Sequence, residues 1–303
     1  MYRPSVKTPI PTPKARTQRL SGFGIWSLGF VVAVVSGAPA LETQQAPDLK
    51  KVLYSMANSL GMLRTVNELD SVMTVEAWGR GTMRDVTAKG IGPEVQVKSF
   101  YAQIAYDFPG MRVEIVRADG QREIQVVSGT HAWNEIDKLG GGLEPGWGSA
   151  VPAMDRVTER LLSLWTTPFG VVKAAAAAGD KAKVGVENGA TVVTFPLVNG
   201  KPEQTSYLVV GELAGTPVKV TLDGNSRPAR VELRFQNRTY VTTFEKYGDL
   251  NEADYRADIF VPARIVRTVD GQTVLDLTID KTNTYNPYVI MPVPPSVQKA
   301  AAR

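Results

Sequence analysis

The sequence predicts a mainly β protein of the α+β class, with one strongly curved antiparallel sheet and helices covering its concave face. Between Ala229 and Ile279, apolar and polar residues alternate with the period of a strand that has one solvated face. Helical periodicity is confined to two regions, near residues 50 and 160. One helix, several strands, a broken helix and many more strands fit a single sheet whose helices gather on one side. We expect about nine to eleven strands and two or three helices.

Composition bounds the function. The 303 residues are 43% hydrophobic and 21% charged, enough for a sizeable core. Cysteine is absent, which excludes disulfides, thiolate metal sites, cysteine nucleophiles and a lipid-modified N-terminal cysteine. Five of the 34 basic residues lie before residue 41, where there is no acidic one, so the remainder of the chain is nearly neutral. A basic stripe on the folded part is not visible, so we predict no nucleic-acid partner.

The N-terminus is typical of an export signal. A basic segment precedes the apolar stretch Ser21–Val35, which is too short for a comfortable membrane span, and Ala38-Pro39-Ala40 has the form of a cleavage site. We interpret residues 1–40 as a secretory signal, and residues 41–303 as a single domain with a Pro-rich C-terminal tail. The expected location is periplasmic or secreted. An uncleaved inner-membrane anchor and a start codon placed too early remain alternatives.

The first half of the domain opens with a helix. Asp48 can cap it, apolar residues recur at helical spacing from Leu49 to Leu63, and we expect its end near Leu69. Strands follow, with a hairpin turn at Asp119-Gly120. The predicted extended segments begin at Asp70 and continue through Val95–Tyr106, Met111–Ile115, Ile124–Val126 and Ser128–Trp133.

The second half contains the other helical region. After a Gly-rich loop at Lys138–Ala150, Ala153–Gly179 reads as a helix that Pro168 stops or kinks. Asp270-Gly271 marks a tight turn before the last strand, and the tail from Asn286 is expected to be extended over the surface. The predicted strands are Thr191–Val198, Gln204–Val210, Pro217–Leu222, Ala229–Gln236, Tyr240–Lys246, Ala263–Thr268 and a final one containing Leu275, Leu277 and Ile279.

Polar side chains form no recognisable catalytic or metal-binding set. His131 is the only histidine, and zinc needs three or four ligands, so we predict no metal, no cofactor and no catalytic residues. Glu135 with Asp137 is interpreted as a pair of solvated turn charges, as is the acidic cluster that begins at Asp249. Gly79-Arg80-Gly81 is not followed by a helix, so we interpret it as turn or loop glycines rather than a phosphate loop.

Four aromatic residues are candidates for a binding site. Trp78, Trp133, Trp165 and Phe235 could all be explained by core packing. The alternative is that some of them line a cavity for a hydrophobic ligand. In that case the helices at 48–69 and 153–179 are lids, and Pro168 permits movement.

Three stretches resemble the periplasmic lipoprotein-carrier family of the LolA/LolB type, and one of them is Ile279–Pro287, which resembles a closing strand that ends near Asn-Pro. The first is Met111–Glu135, in which two strands are followed by Ser128-Gly129-Thr130-His131-Ala132-Trp133. The second joins Tyr247-Gly248-Asp249 to Val261-Pro262-Ala263-Arg264-Ile265 and Asp270-Gly271-Gln272. The resemblance implies a half-barrel whose apolar concave face is closed by helices and receives acyl chains. The chain departs from the family in its longer helical insertion and its lack of a lipoprotein cysteine.

Three functions follow from this sequence. The first is an exported, non-enzymatic carrier that holds a lipid, acyl chain or lipoprotein against the inner face of the sheet. The second is a cell-envelope interaction module with a self-filled core, which binds a protein partner through a loop or strand edge. The third is a hydrolase with a dispersed acidic site, which would need two carboxylates at a working distance.

Overall fold

A computed structural model describes residues 48–63, 72–87, 89–137, 148–200, 208–251 and 258–302. The described residues form helices α1 (Leu49–Ser59), α2 (Val157–Trp165), α3 (Pro168–Ala178) and α4 (Pro295–Ala301). Their strands are β1 (Thr74–Thr87), β2 (Gly90–Ala105), β3 (Gly110–Arg117), β4 (Arg122–Ser128), β5 (His131–Ile136), β6 (Ser149–Pro152), β7 (Lys183–Glu187), β8 (Ala190–Pro196), β9 (Pro217–Leu222), β10 (Pro228–Phe235), β11 (Arg238–Asp249), β12 (Phe260–Val269) and β13 (Gln272–Asn283).

Within the described ranges the strands form one open sheet of 13 antiparallel strands, in the order β6-β5-β4-β3-β2-β1-β13-β12-β11-β10-β9-β8-β7. Two meanders, β1–β6 and β7–β13, are joined where β1 pairs with β13. The two edge strands, β6 and β7, flank α2 and α3 in the chain. This confirms the predicted mainly β class, with more strands than expected because the short β6 and β7 carry too few residues for a clear alternation.

The sheet curves around its helices, because strands of both meanders contact them. In the first meander, the carbonyl oxygens of Val126 on β4 and Trp133 on β5 accept hydrogen bonds from Arg160 of α2. In the second meander, β8, β9 and β10 contribute Val193, Val220 and Val231 to one hydrophobic cluster with α1, α2 and α3. Strands from opposite sides of the sheet therefore meet the same helices, and they enclose the concave face.

Two glycines lie where β1 bends, and here the sequence interpretation was wrong. Gly79 and Gly81 lie inside β1 rather than in a turn, beside irregularities in its pairing with β2 and β13. A Cβ atom on Gly81 would be 1.9 Å from the carbonyl oxygen of Asp276, and one on Gly79 would be 2.3 Å from that of Thr278. These glycines let β13 approach closely, and bulges of this kind bend a strand.

Helix α1 begins as predicted and ends earlier. The Asp48 side chain accepts a hydrogen bond from the backbone N–H of Lys50 at 2.9 Å, which caps the first turn. The helix ends at Ser59 rather than near Leu69, because Gly61 adopts a positive φ of 76° that stops α-helical hydrogen bonding. Residues 64–69, the rest of the predicted helix, lie outside the described residues, as do residues 70 and 71 of the strand predicted to follow it.

The break between α2 and α3 was predicted at the right residue. Pro168 occupies the first turn of α3, and the Thr167 side chain caps that helix by accepting from the N–H of Gly170 at 3.1 Å. No single described helix is long and apolar enough to cross a membrane. Met154–Trp165 and Pro168–Lys181 pass that test only as a pair, which is bent by 93°.

The C-terminal segment packs on the outer face of the sheet. It is extended up to Pro294, as predicted, and then forms the unpredicted helix α4. Val289, Met291 and Val297 form a small hydrophobic cluster with residues of β2, β4 and β5: Ala105, Ile124, Val126 and Trp133. The tail thus covers the face opposite the large core.

Several other predictions concern residues that lie wholly or partly outside the described ranges. The signal at residues 1–40 lies outside them, as do residues 138–147 of the Gly-rich loop and 204–207 of the strand predicted at Gln204–Val210. Leu208–Val210 is described and is not a strand, so that part of the prediction was wrong. Ser149 and Ala150, placed in the loop by the sequence, begin β6.

Candidate functional site

A cavity of about 190 Å³ lies between the concave face of the sheet and helix α2. Its wall is mostly apolar and comes from both meanders, with β1–β4 on one side and β11–β13 on the other. Lining side chains include Ala77, Phe100, Ala102, Ile104, Val113, Leu162, Phe244, Ile265, Leu277 and Ile279. The volume is below the roughly 300–1,000 Å³ of pockets that enclose drug-sized ligands. A long chain would therefore need α2 or its neighbours to move.

The alternation on β13 shows why the wall is apolar. Leu275, Leu277 and Ile279 point into the cavity, as the predicted strand periodicity requires. Between them, Asp276 points outward and pairs with Arg264 at 2.9 Å. The hydrogen bonds from Arg264 lower the pKa of Asp276, which keeps the outer face charged.

One cationic side chain interrupts the apolar wall. Arg267 on β12 donates to three hydroxyl oxygens: Thr242 on β11 at 3.1 Å, and Ser163 and Thr166 on α2 at 2.6 and 3.0 Å. It is largely buried, and burial lowers its pKa to about 10, so the guanidinium stays protonated at neutral pH. The residue therefore links the sheet to α2 across the cavity and carries a positive charge there.

A second charged group borders the cavity at the start of α2. Glu159 lies 2.9 Å from Arg156, which also pairs with Asp85. Burial raises the pKa of Glu159, and the nearby Arg156 only partly opposes that shift. Arg160 is 5% exposed and donates to backbone carbonyls and to Asn134 Oδ1 at 2.5 Å, and burial lowers its pKa to about 10.

A more polar chamber of about 350 Å³ adjoins the cavity. The two share Val86, Glu159, Leu162 and Tyr240, so these four side chains lie between the chamber and the cavity. We call this chamber the vestibule. The rest of its wall comes from the β1–β2 turn, the start of α2 and the β10–β11 turn, and comprises Thr87, Asp155, Arg156, Thr158, Glu212, Phe235, Gln236 and Arg238.

The four predicted aromatic residues lie around the cavity, and none is part of its wall. Trp78 stacks on Tyr101 on the outer face with ring centroids 4.9 Å apart. Trp133 lies under the C-terminal segment, and Trp165 is in the main core, where its indole N–H donates to the Val209 carbonyl at 2.7 Å. Phe235 lines the vestibule. Their contact with a ligand stays a prediction.

The sequence analysis did not identify Arg267, although the alternation of residues along β12 indicates that its side chain points inward. Ile265, Arg267 and Val269 occupy alternate positions of β12, so an arginine stands where the period places an inward side chain. An inward arginine between apolar residues is costly unless it is hydrogen-bonded or paired, and it therefore indicates a specific role. Its partners on α2 could not be read from the sequence, because they depend on tertiary packing.

The polar residues considered in the sequence analysis differ in how deeply they are buried. Glu135 is not a solvated turn charge, because its side chain is 2% exposed and pairs with Arg112 at 2.9 Å; that interpretation was wrong. Asp137 is exposed. His131 starts β5 and is partly buried. The described part of the chain contains no group of three or more His, Cys, Asp or Glu side chains that could hold a metal ion.

Comparison with known proteins yields a weak structural similarity and no family assignment. No family model and no curated protein matches the chain. Among solved structures, the chain is similar to the lipoprotein LppX of Mycobacterium tuberculosis, with 12% sequence identity and a TM-score of 0.24. The match covers 62% of this chain and 88% of that one. The class that the fold and site define is an open, helix-filled antiparallel sheet with an apolar internal cavity.

Proposed function

We propose that this protein is a non-enzymatic carrier that binds a hydrophobic ligand, such as an acyl chain, in the cavity beneath α2. The carrying observation is the cavity wall, which the two meanders build mostly from apolar side chains. Burial of a chain there would stabilise the complex by about 0.8 kcal/mol per methylene group. Affinity therefore does not require a reacting group. The export signal predicted at residues 1–40 supports a location in the cell envelope.

The vestibule supports the same proposal because it adjoins the cavity. It shares Tyr240, Leu162, Val86 and Glu159 with the cavity, so these four side chains separate a ligand in the vestibule from the apolar wall. The helix above the cavity is held to β12 by hydrogen bonds from Arg267 to Ser163 and Thr166. Hydrogen bonds to a charged group such as these contribute a net of about 1.5–3 kcal/mol each.

Uptake of a neutral acyl probe tests the proposal. Detergent-free native mass spectrometry should show co-purified lipid, and a pyrene-labelled fatty alcohol should bind the emptied protein. Ala102→Phe, which fills the cavity from β2, should weaken uptake about tenfold or more, as loss of two or more buried methylene groups would. Ala77→Phe provides a second filling variant if the first does not fold.

The matched control is Ala118→Phe, at an exposed position of the β3–β4 turn, which should bind like the unchanged protein. Normal uptake by both folded cavity variants would contradict the site. Absence of any bound or added chain, together with a stoichiometric protein partner in cell extract, would favour the alternative of an interaction module with a self-filled core.

A further inference from the structure

The position of Arg267 sets a condition on the ligand. Arg267 lies between Ile265 and Val269 on the inner face of β12 and opposite Leu275 of β13. A guanidinium in such apolar surroundings is stable only where its donors are satisfied and its charge is compensated. In the structure, three of the donors of Arg267 are hydrogen-bonded. Its charge has no ion-pair partner among the described residues.

The donor count shows what is left. A guanidinium has five N–H groups, and three of those on Arg267 are directed at the hydroxyls of Thr242, Ser163 and Thr166. One N–H on each terminal nitrogen remains. Among the described residues, no carboxylate lies within ion-pair distance of Arg267, since the nearby Glu159 pairs with Arg156. These two remaining donors are available to the oxygens of an acid group.

The hydroxyls on both sides of Arg267 can add to such a site. Each accepts from the guanidinium, and in the described contacts the hydroxyl hydrogens of Ser163 and Thr242 are not used by another acceptor. Thr166 is different, because its hydroxyl already donates to the Leu162 carbonyl. Ser163 and Thr242 can therefore donate to a ligand oxygen while Arg267 donates to the same group.

The charged side chains of the cavity wall are mostly cationic, which also favours an acidic ligand. Its ionisable side chains are Arg84, Arg160 and Arg267 against the single Glu159, whose pKa is raised by burial. Glu159 and Tyr240 both interact with Arg267 and both border the vestibule. The cationic end of the cavity is thus the end nearest the vestibule, and the remainder of the wall is apolar.

We propose that the ligand is an amphiphile with an acid head group, and that Arg267, assisted by Ser163 and Thr242, binds that head group while the chain lies along β13. This inference rests on the proposed carrier function and narrows its ligand class. The shared chemistry is an acyl carboxylate. A free small carboxylate would offer the same charge without a chain, so the test includes one.

Ligands that differ only in the head group test the inference on the unchanged protein. Dodecanoate, dodecanol, dodecylamine and acetate are compared as competitors of the neutral pyrene-labelled alcohol. We expect dodecanoate to bind about 10- to 100-fold more tightly than dodecanol, the range of charge-assisted hydrogen bonds, and dodecylamine to bind most weakly of the three chains. Equal affinities for dodecanoate and dodecanol, or competition by acetate as strong as by dodecanoate, would overturn the proposal.

Substitutions assign the preference to the residue. Arg267→Gln should abolish the preference for dodecanoate and leave dodecanol affinity within about twofold, and Arg267→Lys should keep part of it, since lysine retains charge without the fork of donors. Arg234→Gln, at an exposed arginine of β10, is the matched control and should keep the full preference. A folded Arg267→Gln protein with unchanged selectivity overturns the assignment. If that variant does not fold, the head-group series alone decides. Failure of every chain to bind, dodecanol included, contradicts the carrier function itself.

Discussion

Arg112 and Glu135 form an ion pair across the intervening strand β4, with Nη2 2.9 Å from Oε2 and with side chains only 3% and 2% exposed. The Arg112 Nε–H donates to the same carboxylate oxygen at 3.1 Å. Glu135 depends on this pair, because without Arg112 its carboxylate would be buried without compensation, whereas Arg112 also lies 3.5 Å from Glu114.

This dependence predicts a strong effect of breaking the pair. Arg112→Met should lower the free energy of unfolding by about 3–5 kcal/mol, because Glu135 is left buried and unpaired. The double variant Arg112→Met with Glu135→Leu should recover most of that loss in urea denaturation. Arg80→Met, in the exposed pair with Asp280, should cost at most about 1 kcal/mol. Additive losses in the double variant would contradict the coupling.

The close approach at Gly81 predicts a difference between two strand glycines. Gly81→Ala should destabilise the protein by about 1–3 kcal/mol or more, since the added Cβ meets the Asp276 carbonyl oxygen at 1.9 Å and β13 must shift. Gly185 on β7 has open space at its Cβ position, so Gly185→Ala should be neutral or stabilise by up to about 1 kcal/mol. Thermal and urea unfolding measure both. Similar costs at the two sites would show that β13 adapts freely.

The C-terminal helix predicts another position-specific effect. Val297 is 0% exposed and packs with Ile124 and Trp133. Val297→Asp should lower stability by about 2 kcal/mol or more, because it removes apolar burial and buries a carboxylate. It should also speed amide hydrogen exchange in β4 and β5. Gln298→Asp, on the exposed side of α4, should change neither by much. Unaltered exchange in the first variant would mean that the tail does not hold the outer face.

The raised pKa of Glu159 predicts a pH-dependent contribution to stability. Because burial makes the folded state bind the proton more tightly, this group favours folding most at low pH, and the contribution is lost as pH rises from roughly 4 through the folded pKa. Glu159→Gln should therefore become relatively more stable than the unchanged protein as pH rises through that window. Urea titrations at stepped pH measure the difference.

Asp276 gives the control of opposite sign. Its pKa is lowered by hydrogen bonds from Arg264, so its contribution is present at neutral pH and is lost as pH falls through the folded pKa. Asp276→Asn should therefore become relatively less stable as pH rises. The same trend in both variants would show that burial does not raise the pKa of Glu159.

The sequence predicted best what depends on neighbours along the chain. Strand alternation placed Leu275, Leu277 and Ile279 on one face, and they line the cavity. Asp270 and Gly271 form the predicted turn between β12 and β13, with φ values of 51° and 81°.

Features that depend on distant residues were missed. Gly81 read as a turn glycine, because its reason for being glycine is a carbonyl oxygen almost 200 positions away on β13. The sequence indicated that Glu135 was solvated, because its partner Arg112 is brought beside it only by the fold, across β4. Arg267 carried a visible anomaly in its strand pattern, but its hydroxyl partners come from a helix about 100 positions earlier.

The main core extends well beyond the cavity wall, and this has a consequence for loading and release. Helices α1, α2 and α3 pack on β8, β9 and β10 with buried side chains of the same chain, including Met56, Leu161 and Phe169. The packing of this core therefore stabilises the protein without a ligand. A bound ligand adds stability by mass action and is not needed for folding. The melting temperature should climb logarithmically with free cargo concentration, and stripping the cargo should leave a folded protein ready for another round.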